Sequence, residues 1–129
     1  MNANVNLIMT TQRPEVLKQT DFWLKIVSGW KREIGNVMMK SEHVKASPQI
    51  TAEVARTAGE LSLFAEKLDE LYRQIDLHQL NLPAVDQIEE WTQTHLFLSE
   101  RLNNESRILR GLLSDMFKLD KAAYKRFLC

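Results

Sequence analysis

The sequence predicts an all-α protein, an antiparallel three-helix bundle of coiled-coil-like character, on three observations. Turn residues are scarce, with four Gly and three Pro in 129 residues. All three prolines stand where helices can begin, because the missing N–H costs nothing at the first helical position. Between them apolar residues recur at alternating spacings of four and three, the heptad pattern of packed helices. Sandwiches, barrels and nucleotide-binding α/β folds need more turn punctuation than this.

Residues 1–13 (MNANVNLIMTTQR) precede the first proline and read as a flexible N-terminal segment, with residues 14–129 as a single helical domain. The first helix is expected from Pro14 to Lys45, with a seam of Val16, Thr20, Trp23, Val27, Trp30, Ile34, Val37, Ser41 and Val44. Leu17, Leu24 and Met38 widen this stripe on one side, and Phe22 and Ile26 on the other. The resulting apolar arc is wider than two partner helices need, so a further surface is expected to cover it.

The second helix is expected from Pro48 to Leu80, with Ser47 as its N-cap and Asn81 closing it in a left-handed conformation. Its seam is Ile50, Val54, Thr57, Leu61, Phe64, Leu68, Leu71 and Ile75, ending on His78, with Ala58, Ala65 and Tyr72 beside it.

The third helix is expected from Pro83 to roughly Phe127, along Ile88, Trp91, His95, Leu98, Leu102, Glu105, Leu109, Leu112, Met116 and Leu119. At 1.5 Å per residue the first two helices span about 45–50 Å and an unbroken third about 65 Å. With the helix starts level, residues 116–129 overhang the bundle, and their apolar side chains are costly in water. Either the third helix is long and this stretch packs on another chain, or Asp120 caps a short C-terminal fourth helix that folds back. Short connections force neighbouring helices to run antiparallel. Gly29, Gly35, Gly59 and Gly111 stand singly inside helical patterns, where close helix approach or small kinks account for them.

The 17 basic and 17 acidic side chains cancel, but not locally. Residues 1–48 carry +3, 49–82 carry −3, 83–106 carry −4 and 107–129 carry +4. A basic first helix beside acidic neighbours gives complementary seams, and the polarity of the third helix matches its dipole.

A chemical site is not evident. Glu-x-x-His and His-x-x-x-His spacings are absent, so no metal or other cofactor and no small-molecule substrate is expected. Nor is an enzyme, since carboxylate pairs such as Glu66 with Glu70 read as solvated faces. Cys129 is the only cysteine, which excludes an intrachain disulfide and fits a reducing, cytoplasmic compartment. The first residues lack a signal-peptide pattern.

Two positions in the seam of the third helix are polar. His95 reads as a half-buried ring with one nitrogen bonded. Glu105, levelled from the helix starts, is expected to meet Asn36 and Thr57, with Arg56 nearby, in a polar layer that sets register. Phe22, Ile26, Phe97, Phe117, Tyr124 and Phe127 are the candidates for contact with a second copy of the chain in a homodimer, or with another helical protein. Arg107, Arg110, Lys118, Lys121, Lys125 and Arg126 form a weaker candidate for binding anions, nucleic acid or a membrane surface. Nucleic-acid domains usually carry net positive charge, and this chain carries none.

Overall fold

In the computed structural model the described residues are 2–42 and 46–128, with side chains described for 15–42, 46–84 and 86–123. They form α1 (Asn2–Ser41), α2 (Pro48–Leu80), a single 3₁₀ turn (Val85–Gln87) and α3 (Ile88–Leu128). Among the described residues there is no strand, and the architecture is an all-α three-helix bundle. No described helix is long and apolar enough to cross a membrane.

The helix starts differ from those expected of the prolines, except at Pro48. There Ser47 caps α2 as expected, its hydroxyl accepting from Ile50 N–H at 3.3 Å with Pro48 in the first turn. By contrast α1 begins at Asn2, so the segment expected to be flexible is helical and Pro14 lies inside the helix. Asn2 to Arg13 contains neither Gly nor Pro, and a proline removes one intrahelical bond without ending the turns on either side. Pro83 does not open α3. The chain leaves Ala84 extended, makes the 3₁₀ turn and enters α3 at Ile88, the tight entry common at helix N-termini. Asn81 closes α2 by donating its N–H to Leu77 O at 2.9 Å, but at φ −101° and not in the left-handed region.

The seams stand where the spacing put them. All of Val54, Thr57, Leu61, Phe64, Leu68, Leu71, Ile75 and His78 on α2 are buried. They meet Trp23, Val27 and Ile34 of α1 and Leu98, Leu102, Leu109 and Met116 of α3 in one core, with Trp30, Val37, Leu112 and Leu119 half-buried at its margin. Val44 lies outside the described residues. The helix α2 packs closely along both of its neighbours, whereas α1 and α3 approach each other much less.

Cross-helix contacts set the heights. On one side Thr20 meets Gln79 and Lys31 pairs with Asp69; on the other His78 meets His95 and Arg101 meets Gln74. In that register α1 ends level with about Gly59, while the first turns of α2 rise further and lie beside the C-terminal turns of α3, Val54 level with about Asp120. This stagger changes the expected overhang. Met116 and Ala123 are 1% and 5% exposed because α2 still covers them. The helix α3 is unbroken to Leu128, so the described residues form no fourth helix, and Asp120 is a half-buried residue inside α3 instead of a cap.

Within the described residues the outer arc of α1 is left open, Phe22 remaining 61% exposed. One further expectation is corrected. The glycines do not serve close helix approach, because a Cβ placed at any of the four would meet nothing within 4 Å.

Candidate functional site

The most organised polar cluster lies where the last turn of α2, the second turn of α3 and the middle of α1 converge. Heptad spacing delivers His78 to the α2 seam and Trp91 and His95 to the α3 seam, and the hairpin between the two helices sets the histidines opposite each other. The two rings are joined by a hydrogen bond, His78 Nε2 to His95 Nδ1, at 3.1 Å. The other nitrogen of His95, Nε2, lies 2.7 Å from Gln19 Oε1 on α1. Gln19 Oε1 only accepts, so His95 carries its proton on Nε2 and offers the Nδ1 lone pair to His78, which donates from Nε2. A directed chain therefore runs from α2 through α3 to α1.

Aromatic faces close around this chain. Trp23 stacks on His95 with centroids 4.7 Å apart, and Trp91 stacks on His78 at 4.3 Å and 13° between planes. Trp91 Nε1–H donates to the carbonyl of His78 at 3.2 Å, which pins the indole to the end of α2. Next to it Gln79 donates to Thr20 Oγ1 at 3.0 Å and to Asp21 Oδ1 at 2.6 Å, so α1 is tied to α2 at the same height. Thr20 is fully buried, its hydroxyl within 3.1 Å of the carbonyls of Val16 and Leu17. Burial pushes the His78 imidazolium down to about 4, and the neighbouring charge of His95 adds to this; burial also lowers His95. Both rings are neutral at neutral pH.

The cluster holds the three helices together, and among the described residues no carboxylate is bonded to either ring. Among the described residues, no group of three His, Cys, Asp or Glu is placed to hold a metal ion. The spacing had marked both histidines as polar seam residues. Their pairing was not readable: His78 lies six residues before and His95 eleven residues after Ala84, the centre of the connection, so equal counting from the hairpin does not match them.

The expected polar layer does not assemble. Glu105 and Thr57 are buried, at 8% and 5% exposure, but the register places them about three turns apart. Asn36 and Arg56 are exposed. The heights had been counted from the prolines, and only Pro48 actually starts a helix. Glu105 instead faces Arg101 one turn earlier on α3, Nε to Oε1 3.8 Å, and Arg101 donates to Gln74 Oε1 at 2.6 Å.

Of the candidate contact residues, Phe22, Phe97 and Phe117 are 60–68% exposed and Ile26 is half-buried; the side chains of Tyr124 and Phe127 lie outside the described residues. Arg107, Arg110, Lys118 and Lys121 are exposed on the outer face of α3; the side chains of Lys125 and Arg126, and Cys129, also lie outside. A groove between α2 and α3 had gone unmarked. Leu63 and Ile108, 62% and 42% exposed, flank it over Phe64 and Leu112. Both sit just off their seams, which is the signal that could have found them.

The chain matches no protein-family model, and comparison with curated proteins and with solved structures gives no match.

Proposed function

We propose that this chain is a non-enzymatic helical-bundle protein that works by protein–protein contact and associates with a second copy of itself. The observation that carries this reading is the apolar α2–α3 groove. Its floor and walls are Phe64, Leu112, Leu63 and Ile108, and on its rim Glu60, Glu66 and Glu70 outnumber Lys67. The outer face of α1 offers the complement. Exposed Lys18, Phe22, Lys25, Arg32 and Met39 recur there at heptad-like spacing, combining positive charge with two large apolar side chains. The outer face of α1 from one copy fits the acidic, apolar groove of the other, and a two-fold arrangement satisfies both grooves at once. The single cysteine fits a reducing, cytoplasmic setting for such a dimer.

Light scattering of the full chain tests this. A dimer at micromolar concentration is expected, converting to monomer with Leu63→Asp or Ile108→Asp while helical content is retained. A monomer at every concentration removes the proposal. The second reading, an anion binder, draws on one observation: unbroken α3 lines up Arg107, Arg110, Lys118 and Lys121 along one outer face. Salt-sensitive binding of duplex DNA or anionic vesicles by a monomer would favour it instead.

A further inference from the structure

The bond chain Gln19–His95–His78 leaves very little room for added protons. In the neutral pair every polar nitrogen between the rings has a role: His78 donates, His95 accepts and then donates to Gln19. One extra proton can be housed. His95 then carries N–H on both nitrogens, and the bond between the rings survives by reversing, with His78 shifting its own proton to Nδ1 and accepting at Nε2. The stacked indoles of Trp23 and Trp91 favour a cation between them. A second proton leaves two N–H groups pointing at each other across 3.1 Å, each on a positive ring. No acceptor remains between them, and like charges at that distance repel strongly.

We propose that the His78–His95 pair is an acid-sensitive clasp that holds the last turn of α2 against the start of α3, tolerating one added proton and opening on the second. The geometry makes this end of the α2–α3 seam the part that moves. The helix α1 stays packed along α2 and tied to it through Gln79 on Thr20 and Asp21, and His95 Nε2–H still donates to Gln19 when the rings are charged. Trp91 on the His78 carbonyl, a bond indifferent to protonation, keeps the hairpin tethered while the rings part. Charged side chains on the surrounding turns include Glu15, Lys18, Asp21 and Lys25 on α1, Arg73 and Asp76 on α2, Asp86 on the 3₁₀ turn, and Glu89, Glu90 and Arg101 on α3. Lys18 lies 3.9 Å from Glu15, Asp21 is held by Gln79 and Arg101 by Gln74, and none of these groups forms an ion pair with either ring. Opening bares the apolar seam between α2 and α3 around Ile75 and Leu98, so the clasp regulates how much of that seam other chains can reach.

Two measurements test this on the full chain. Hydrogen exchange of the amides in residues 75–98, corrected for intrinsic rates, is expected to rise roughly tenfold or more as pH falls from 6.5 toward about 4. His78→Gln supplies the same donor to His95 but cannot be protonated, and in this variant the rise is expected to disappear. An equal rise in both proteins overturns the proposal. On the unmodified protein, ¹⁵N spectra of the imidazoles are expected to show both protons on Nε2 at neutral pH and two separated protonation steps. Independent titration of the two rings near the ordinary value of 6.5 would overturn it even if the variant failed to fold.

Discussion

His78 donates through Nε2 to His95 Nδ1 at 3.1 Å, joining the last turn of α2 to the second turn of α3, and His95 passes the connection on to Gln19 of α1. Three helices thus meet in one chain of neutral donors and acceptors, and the stability of the bundle becomes tied to pH through it. Both imidazolium pKa values lie below the ordinary 6.5, that of His78 at about 4. The unfolded chain therefore takes up protons that the folded chain refuses. Stability is complete above pH 6.5 and is lost as pH falls from there toward about 4, by on the order of 2–3 kcal/mol. Urea unfolding at a series of pH values measures this slope, and in a His78→Gln, His95→Gln double variant the slope over this window should flatten.

Asp120 titrates with the opposite sign. It is half-buried inside α3, its Oδ1 has no hydrogen-bond partner among the described residues, and burial raises its carboxyl above 3.8 although the Lys40 charge pulls it back. The folded state favours the protonated acid, so the ionised form costs stability at neutral pH and the cost fades as pH falls through its raised value. Asp120→Asn should raise stability at neutral pH, a gain that shrinks as pH falls through the raised value. A melting temperature unchanged at neutral pH would show that the orphaned oxygen carries no cost.

The glycines offer a gain of a different origin. Gly35, Gly59 and Gly111 are exposed inside helices, with nothing within 4 Å of where a Cβ would stand and no positive φ. Replacing each by Ala restricts the unfolded chain without a clash in the folded one, for about 0.5–1 kcal/mol apiece. The three sites lie on different helices and each faces open space, so the triple variant should show nearly the sum, read as a shift in the urea midpoint.

Heptad spacing made the buried face of every helix legible before the structure, because a 3.5-residue period is written many times over and one odd residue does not erase it. Thr57 and Glu105 illustrate this, both polar and both buried on schedule. The relative height of the helices is written only in the connections. Residues 42–47 and 81–87 are short, and a shift of a few residues in where each helix starts moves every cross-helix pairing by a turn or more. Proline misled here, for Pro14 lies within a helix and Pro83 outside one. Thr57 and Glu105 were therefore assigned to one layer while standing three turns apart. The pairing of His78 with His95 is hidden for the same reason, since the 3₁₀ turn offsets the two helices and the counts from the centre of the hairpin are unequal.

Arg101 and Glu105 supply a pair of substitutions whose effects should differ in sign. The Glu105 carboxylate is 8% exposed, and Arg101, one turn away on the same helix, faces it at 3.8 Å while holding Gln74 across the α2–α3 interface at 2.6 Å. Glu105→Leu replaces a costly buried charge with a side chain suited to the seam between Leu102 and Leu109, and Arg101 keeps Gln74. The melting temperature should rise, by an amount corresponding to about 1 kcal/mol. Arg101→Ala instead leaves the carboxylate without its cation and Gln74 without its donor, which should cost about 1–3 kcal/mol. The double variant Arg101→Ala with Glu105→Leu should be far less damaged than the single Arg101→Ala, because the stranded charge is gone. Simple additivity in this cycle, with no coupling beyond ~0.5 kcal/mol, would show that the two side chains act independently despite their proximity.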